Sequence, residues 1–131
     1  MKVSIPMLRL ISALLLVLLL GAYAAATTTQ PRTVTLPIDT VDTAIMESFP
    51  IQLQVRFAGI LPDGCTSMGE ITSERDNAAR TITITALGNH SGAEACTMIA
   101  QMFEETIIFQ GPFEPGEWTI MVNNVETTVT L

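Results

Sequence analysis

Few residues in this chain are suited to chemistry. A single histidine, His90, stands beside Ser91, and the densest carboxylates are Glu104-Glu105 and the pair Glu114 and Glu117. Catalysis by a Ser–His pair needs the base within reach of the nucleophile, an acid to orient the base and an oxyanion hole. Asn89-His90-Ser91 lies between Gly88 and Gly92, and neighbouring side chains in such a segment point apart. Nothing marks an orienting acid, so His90 reads as a solvated loop histidine. The same tripeptide fits a glycosylation sequon. Paired carboxylates can cleave glycosidic bonds or hold calcium. Here Glu104 and Glu105 alternate across a strand and Glu114 and Glu117 flank a turn, so neither pair converges. The chain has no Gly-rich phosphate loop, zinc spacing or EF-hand pattern. No enzymatic activity and no cofactor are expected.

Sulfur offers two further readings. Beyond the first 26 residues stand Met46, Met68, Met98, Met102 and Met121. Thioethers are soft ligands that select Cu(I). Met98 and Met102, four residues apart, would meet on one helical face, and with His90 they make a soft-metal carrier the alternative function. Methionine also fills irregular gaps in cores, which is the favoured reading. The two cysteines, Cys65 and Cys96, lack a Cys-x-x-Cys spacing or a neighbouring histidine in sequence.

Compartment decides between their options. Lys2 and Arg9 precede an apolar run from Leu10 to Leu20, and Ala22-Tyr23-Ala24-Ala25-Ala26 follows. A basic start, a short apolar middle and an Ala-x-Ala end describe a secretory signal peptide, cleaved after Ala24 or Ala26. Retention as an anchor is the competing reading, but about 17 apolar residues sit at the low edge of what a spanning helix needs. The expected organisation is a signal helix over 1–26, a flexible leader over 27–32 and one domain over 33–131. The product is expected to be secreted or periplasmic. An even cysteine pair in such a chain reads as a disulfide. Closing a loop of about 30 residues would contribute roughly 3–4 kcal/mol.

Charge narrows the partners. The whole chain carries −7. Removal of the signal peptide takes Lys2 and Arg9 with it, leaving four arginines against thirteen acidic residues, a net charge of −9. Such a surface repels nucleic-acid phosphates and anionic head groups alike. The expected partner is an unknown protein or envelope component, with no nucleic acid, no membrane once the signal is gone, and a monomeric state.

The elements that must position these residues read as strands. Val34, Leu36 and Ile38 share one parity, and Ile51, Leu53, Val55 and Phe57 alternate with Gln52, Gln54 and Arg56. That is the period of a half-buried strand. Leu61-Pro62-Asp63-Gly64 supplies a turn. A weaker strand spans Cys65 to Glu74, Arg75-Asp76-Asn77 turns, and Thr81 to Leu87 alternates inward isoleucines with outward threonines. Gly88 to Gly92 reads as a loop. Ala93 to Phe103 is ambiguous between helix, strand and loop. Thr106 to Gln110 is extended, and Gly111-Pro112-Phe113-Glu114-Pro115-Gly116 breaks it. Trp118, Ile120 and Val122 then share a face, Asn123-Asn124 fits a hairpin, and Val125, Thr127, Val129 and Leu131 form a last inner row. These signals predict a single antiparallel Ig-like or fibronectin-III-like β-sandwich of about seven strands.

Three segments, Glu47-Ser48-Phe49-Pro50-Ile51-Gln52-Leu53-Gln54-Val55, Gly59-x-Leu61-Pro62-Asp63-Gly64-Cys65-Thr66 and Phe103-Glu104-Glu105-Thr106-Ile107, resemble an uncharacterised family of small exported bacterial Ig-like sandwich domains. The family's closing Pro-Gly-x-Tyr-x-Val-x-Val-Asn-Gly appears here as Pro115 to Asn124, with Trp118 for tyrosine and Asn124 for glycine. The resemblance implies the sandwich, the Cys65–Cys96 disulfide and a bacterial origin that argues against glycosylation at Asn89. It carries over no catalytic residue. The expected function is therefore binding, with inhibition of a secreted protease as its first specific version. Loop tips are where such scaffolds bind, so Leu61, Pro62, Asp63, Phe113 and Glu114 are the candidate contact residues.

Overall fold

β-Branched and aromatic residues at every second position favour extended chain, because they pack well on one face of a pleated surface. The computed structural model describes residues 30–131; the signal segment 1–26, both cleavage frames and residues 27–29 of the leader lie outside the described residues. Eight strands follow one another: β1 (Arg32–Thr35), β2 (Thr40–Met46), β3 (Gln52–Leu61), β4 (Thr66–Asp76), β5 (Thr81–His90), β6 (Gln101–Gln110), β7 (Glu117–Val122) and β8 (Val125–Thr130). No helix occurs among the described residues. The strands form a β-sandwich of two sheets.

One sheet is antiparallel throughout, in the order β2-β3-β6. In the other, β4 covers one side of β5 along its length, while β1 and β7 share the opposite side. β8 completes that sheet beside β7. β1 runs antiparallel to β5 from Arg32 opposite His90 to Thr35 opposite Leu87. β7 runs parallel to it from Thr81 opposite Thr119 to Ile84 opposite Val122. This parallel pair departs from the all-antiparallel expectation.

The core lies between the inward rows. Leu53, Val55 and Phe57 from β3 face Ile82, Ile84 and Ala86 from β5, with Trp118, Ile120 and Val122 beside them, all essentially excluded from water. Burying side chains of this size contributes about 1.5–3 kcal/mol each. The alternation anticipated for β3, β5, β7 and β8 is present, and Trp118 lies in the core as expected.

Four boundaries differ. β4 runs on through Arg75 and Asp76, which pair with Ile82 and Thr81, so the turn begins only at Asn77. β2 adds an eighth strand that alternation does not announce, because as an edge it turns only part of its length inward and leaves Ile45 and Met46 exposed. β5 does not stop at Leu87. Its inward parity continues through Ala86 and Gly88 to His90, so Gly88-Asn89-His90 is strand rather than loop. Ala93 to Ala100 is loop, and β6 begins at Gln101. The helical spacing of Met98, Ile99 and Met102 has no helix behind it. Cys96 is tied to Cys65, and the Gly64 N–H donates to the Thr97 carbonyl at 2.8 Å, which draws the segment out beside the β3–β4 turn.

Candidate functional site

The topology gives the sandwich two ends, and the candidate residues divide between them. At the disulfide end, β3 delivers Leu61-Pro62-Asp63-Gly64, β5 delivers His90, and the loop before β6 delivers Cys96. Asp63 builds the turn: its Oδ1 accepts from the Cys65 N–H at 2.9 Å and from the Thr66 hydroxyl at 2.8 Å. The Thr66 bond chiefly, with the Cys65 N–H and the nearby His90, holds the Asp63 carboxyl below its ordinary value against the opposing effect of burial. The remaining oxygen, Oδ2, lies 3.5 Å from His90 Nε2.

His90 is 6% exposed, which corrects its reading as a solvated loop residue. The Gly92 N–H donates to His90 Nδ1 at 2.9 Å, so Nδ1 is the acceptor nitrogen and Nε2 carries the proton. That proton faces both Asp63 Oδ2 and Cys96 Sγ, the latter at 3.7 Å. Gly92 can present its N–H this way because its φ is +84°, where an L side chain is strained.

Cys65 and Cys96 form the expected disulfide, with Cα atoms 5.4 Å apart. Asp63, Cys65, His90 and Cys96 bring ligand-type atoms within 4.8 Å of one another. Metal coordination needs thiolates and a bare ring nitrogen. Here the sulfurs are bonded to each other and Nε2 is protonated, so the set offers a cation little beyond one carboxylate.

The soft-metal set does not assemble either. Met102 lies on the outward face of its sheet, opposite Ile60, while the adjacent Phe103 points into the core. His90 points inward from the other sheet, so the three-stranded sheet separates it from the Met102 thioether. Met98 and Met102 are 87% and 83% exposed, which also removes them from a core-filling role. Of the five methionines only Met68 packs partly buried against the core.

The other end is aromatic. The β2–β3 loop and the β6–β7 loop meet there, tied by a bond from the Gly111 N–H to the Ile51 carbonyl at 2.8 Å. Phe113 is not a free tip. It meets Trp118 edge-on, with centroids 5.4 Å apart and planes at 86°. The Arg75 guanidinium covers its ring at 5.2 Å and donates to the Gln110 carbonyl. Trp118 Nε1 donates to the Glu114 carbonyl at 2.8 Å and so anchors the loop from within the core. Beside this fixed wall stands Phe49, fully exposed. Ser48, Phe49, Pro50, Ile51, Pro112 and Phe113 line an open groove of about 460 Å³.

The structure therefore separates the five candidate contact residues. Leu61 is buried at the end of β3, and Asp63 is committed to its turn and to His90. Phe113 and Glu114 stand at the opposite end. Phe49 was not among the candidates. Its signal was an aromatic residue followed by proline between two strands, where the chain turns and no inward row continues.

An all-β sandwich with one end closed by a disulfide and the other opening on an aromatic groove defines the class. The chain belongs to the ORF11 β-sandwich domain family, whose family model matches residues 55–131. An uncharacterized 10.2 kDa protein in the HgiCIIM 5′ region of Herpetosiphon aurantiacus is 32% identical over 94 residues, which is 72% of this chain and 98% of the relative. Uncharacterized 10.2 kDa proteins in the HgiBIM and HgiEIM 5′ regions of the same organism are each 32% identical over 84 residues, 64% of this chain and 100% of theirs. No solved structure matches the chain.

Proposed function

We propose that this protein is an exported, non-catalytic interaction module of the cell envelope or extracellular space, and that it engages a protein through the groove between Phe49 and Phe113. The observation that carries the reading is the full exposure of Phe49 on a loop pinned to its neighbour. Leaving a phenylalanine in water forgoes about 1.5–3 kcal/mol of burial. Exposed apolar surface of this kind marks interaction sites, and aromatic anchors dominate their energetics. The disulfide suits an oxidising compartment, in keeping with the basic, apolar and Ala-x-Ala start of the chain. A binder fits better than an enzyme because the one histidine faces a disulfide from inside the sandwich. Inhibition of a secreted protease is the specific version in which Phe49 would enter an apolar specificity pocket.

The test is a photocrosslinking residue placed at Phe49 and, as control, at Thr128 on β8, in cells that produce the protein. A discrete adduct from position 49 that position 128 does not give is the expected result. Identical patterns from both positions, or none, would exclude the groove as the contact.

A further inference from the structure

Among the described residues His90 is the one buried titratable side chain, and it ends the inward row of β5 beside the half-buried Cys65–Cys96 disulfide. Its Nδ1 accepts from the Gly92 N–H at 2.9 Å, which fixes the direction of the Nε2 proton. Two acceptors lie before that proton. Asp63 Oδ2 at 3.5 Å is long for an oxygen, whereas Cys96 Sγ at 3.7 Å is within range of the larger sulfur atom. A disulfide sulfur gains little from such a donor. A thiolate gains much more, because charge-assisted bonds are about twice as strong as neutral ones. The donor is thus matched to the sulfur after the disulfide opens, and an interaction that strengthens along a reaction accelerates it.

The two sulfurs differ in this respect. Each lies 3.6 Å from a carbonyl oxygen, Cys65 Sγ from Ala95 and Cys96 Sγ from Ala93. Such an oxygen accepts from a thiol and repels a thiolate. The Asp63 carboxylate, with an oxygen within 4.8 Å of both sulfurs, opposes negative charge on either. Among the described residues only Cys96 has a side-chain donor to offset this, His90 Nε2. In thiol–disulfide exchange the sulfur whose thiolate is better stabilised leaves faster. Cys96 is therefore the leaving sulfur and Cys65 the one attacked. Both are half-buried where the Asp63-Gly64 turn meets the Ala93-to-Ala100 loop, which suits a small nucleophile.

We propose that the disulfide end is a covalent exchange site for a small thiol, with Cys65 taking the thiol and Cys96 leaving onto the His90 proton. The incoming thiolate attacks Cys65 Sγ and forms a new S–S bond to it. The Cys65–Cys96 bond breaks and its electron pair departs on Cys96 Sγ. Cys96 is reduced to a thiolate as the incoming sulfur is oxidised to the disulfide level. His90 keeps its proton and shares it with the new anion. The product carries the small thiol on Cys65 and unties the Ala93-to-Ala100 loop, which the Gly64 N–H otherwise holds at the Thr97 carbonyl. The inference goes beyond the interaction reading above and does not rest on it, since the Phe49 groove lies at the other end of the sandwich.

The experiment gives the folded protein a short pulse of glutathione, quenches it with N-ethylmaleimide and maps each cysteine by mass spectrometry. Glutathione on Cys65 with maleimide on Cys96 should outnumber the reverse product about tenfold, and the two should even out in concentrated urea. Two variants assign the preference to the donor. His90→Phe removes the N–H and should bring the ratio within about twofold of parity, whereas His90→Gln keeps an N–H near the same place and should restore most of it. Equal products from the folded wild type, glutathione chiefly on Cys96, or no adduct short of unfolding would each overturn the proposal. So would a preference that His90→Phe leaves intact, because access rather than His90 would then be its cause. Where the variants do not fold, the reduced wild-type protein decides. Beside Asp63 and His90, Cys96 should reach half-maximal alkylation by iodoacetamide at a lower pH than Cys65. Coincident or inverted profiles would overturn the proposal.

Discussion

Phe49 and Phe113 line one groove and do different things there. Phe49 touches water on all sides, whereas Phe113 is held by Trp118 and Arg75. Truncating Phe113 removes an edge-to-face aromatic pair, a cation–π contact and part of the wall beside the core. Phe113→Ala should therefore cost about 2–3 kcal/mol in urea denaturation, while Phe49→Ala stays within about 0.5 kcal/mol of the wild type. Equal losses would mean that Phe49 packs somewhere in solution. Sequence alone assigned the exposed role to Phe113, because flanking prolines look the same whether a loop tip stands free or folds back on a tryptophan. At the opposite end Asp63 acts through its charge. Its carboxyl is held below its ordinary value by the Thr66 hydroxyl, the Cys65 N–H and His90. A group whose folded pKa is depressed contributes stability that is present above its unfolded pKa and lost as pH falls through the folded one. The stability gap between wild type and Asp63→Asn should thus be widest above about pH 5 and narrow steadily below it. A gap constant from neutral to acid pH would show that Asp63 acts through shape alone.

β1 and β7 meet end to end along one side of β5, and the junction would leave backbone groups unpaired without a filler. Asn123 supplies it. Its Oδ1 accepts from the Ala86 N–H at 2.9 Å, and its Nδ2 donates to the Leu36 and Ala86 carbonyls at 2.7 and 3.0 Å. Its own N–H donates to the Ile84 carbonyl at 2.9 Å, with φ at +50°. Asn123→Gly keeps the positive φ and deletes the side-chain bonds, so its loss isolates them. About 2–3 kcal/mol is expected for three part-buried bonds and the groups they leave unpaired. A glycine variant as stable as wild type in urea would show that water replaces the side chain. The turn at Asn123-Asn124 was legible, since asparagine tolerates positive φ and the flanking rows alternate. Its bonds across the sheet were not, because Leu36 stands 87 residues away. Alternation likewise announced β7, most of β3 and β5 as far as Leu87, where the inward rows are apolar. It failed for β2, an edge strand with little to bury, and for the end of β5, where glycine and histidine continue the inward row. Histidine carries no apolar signal, and the disulfide that encloses it is closed by a residue six positions on.

The two sheets differ in what they show to water, and the molecule as a whole is strongly acidic. Four arginines stand against thirteen carboxylates in residues 30–131, and no lysine is present there. Among the described residues Arg56–Asp42 is the one close ion pair, at 3.5 Å, and the neutral His90 ring faces Asp63 at the same distance. Attractive ionic contacts are therefore few and exposed, while carboxylate repulsion acts across the whole domain. Self-repulsion of this kind works against the compact state. It is long in range and so more sensitive to screening than contacts at 3–4 Å; the Debye length falls from about 30 Å at 0.01 M salt to about 10 Å at 0.1 M. The melting temperature should accordingly rise over that interval by roughly 2–5 °C, equivalent to about 0.5–1 kcal/mol for a domain of this size. Met102→Lys lowers the net negative charge of the domain, and its rise with salt should be smaller than that of the wild type. A wild-type melting temperature that falls with salt would mean that local ion pairs outweigh the global field.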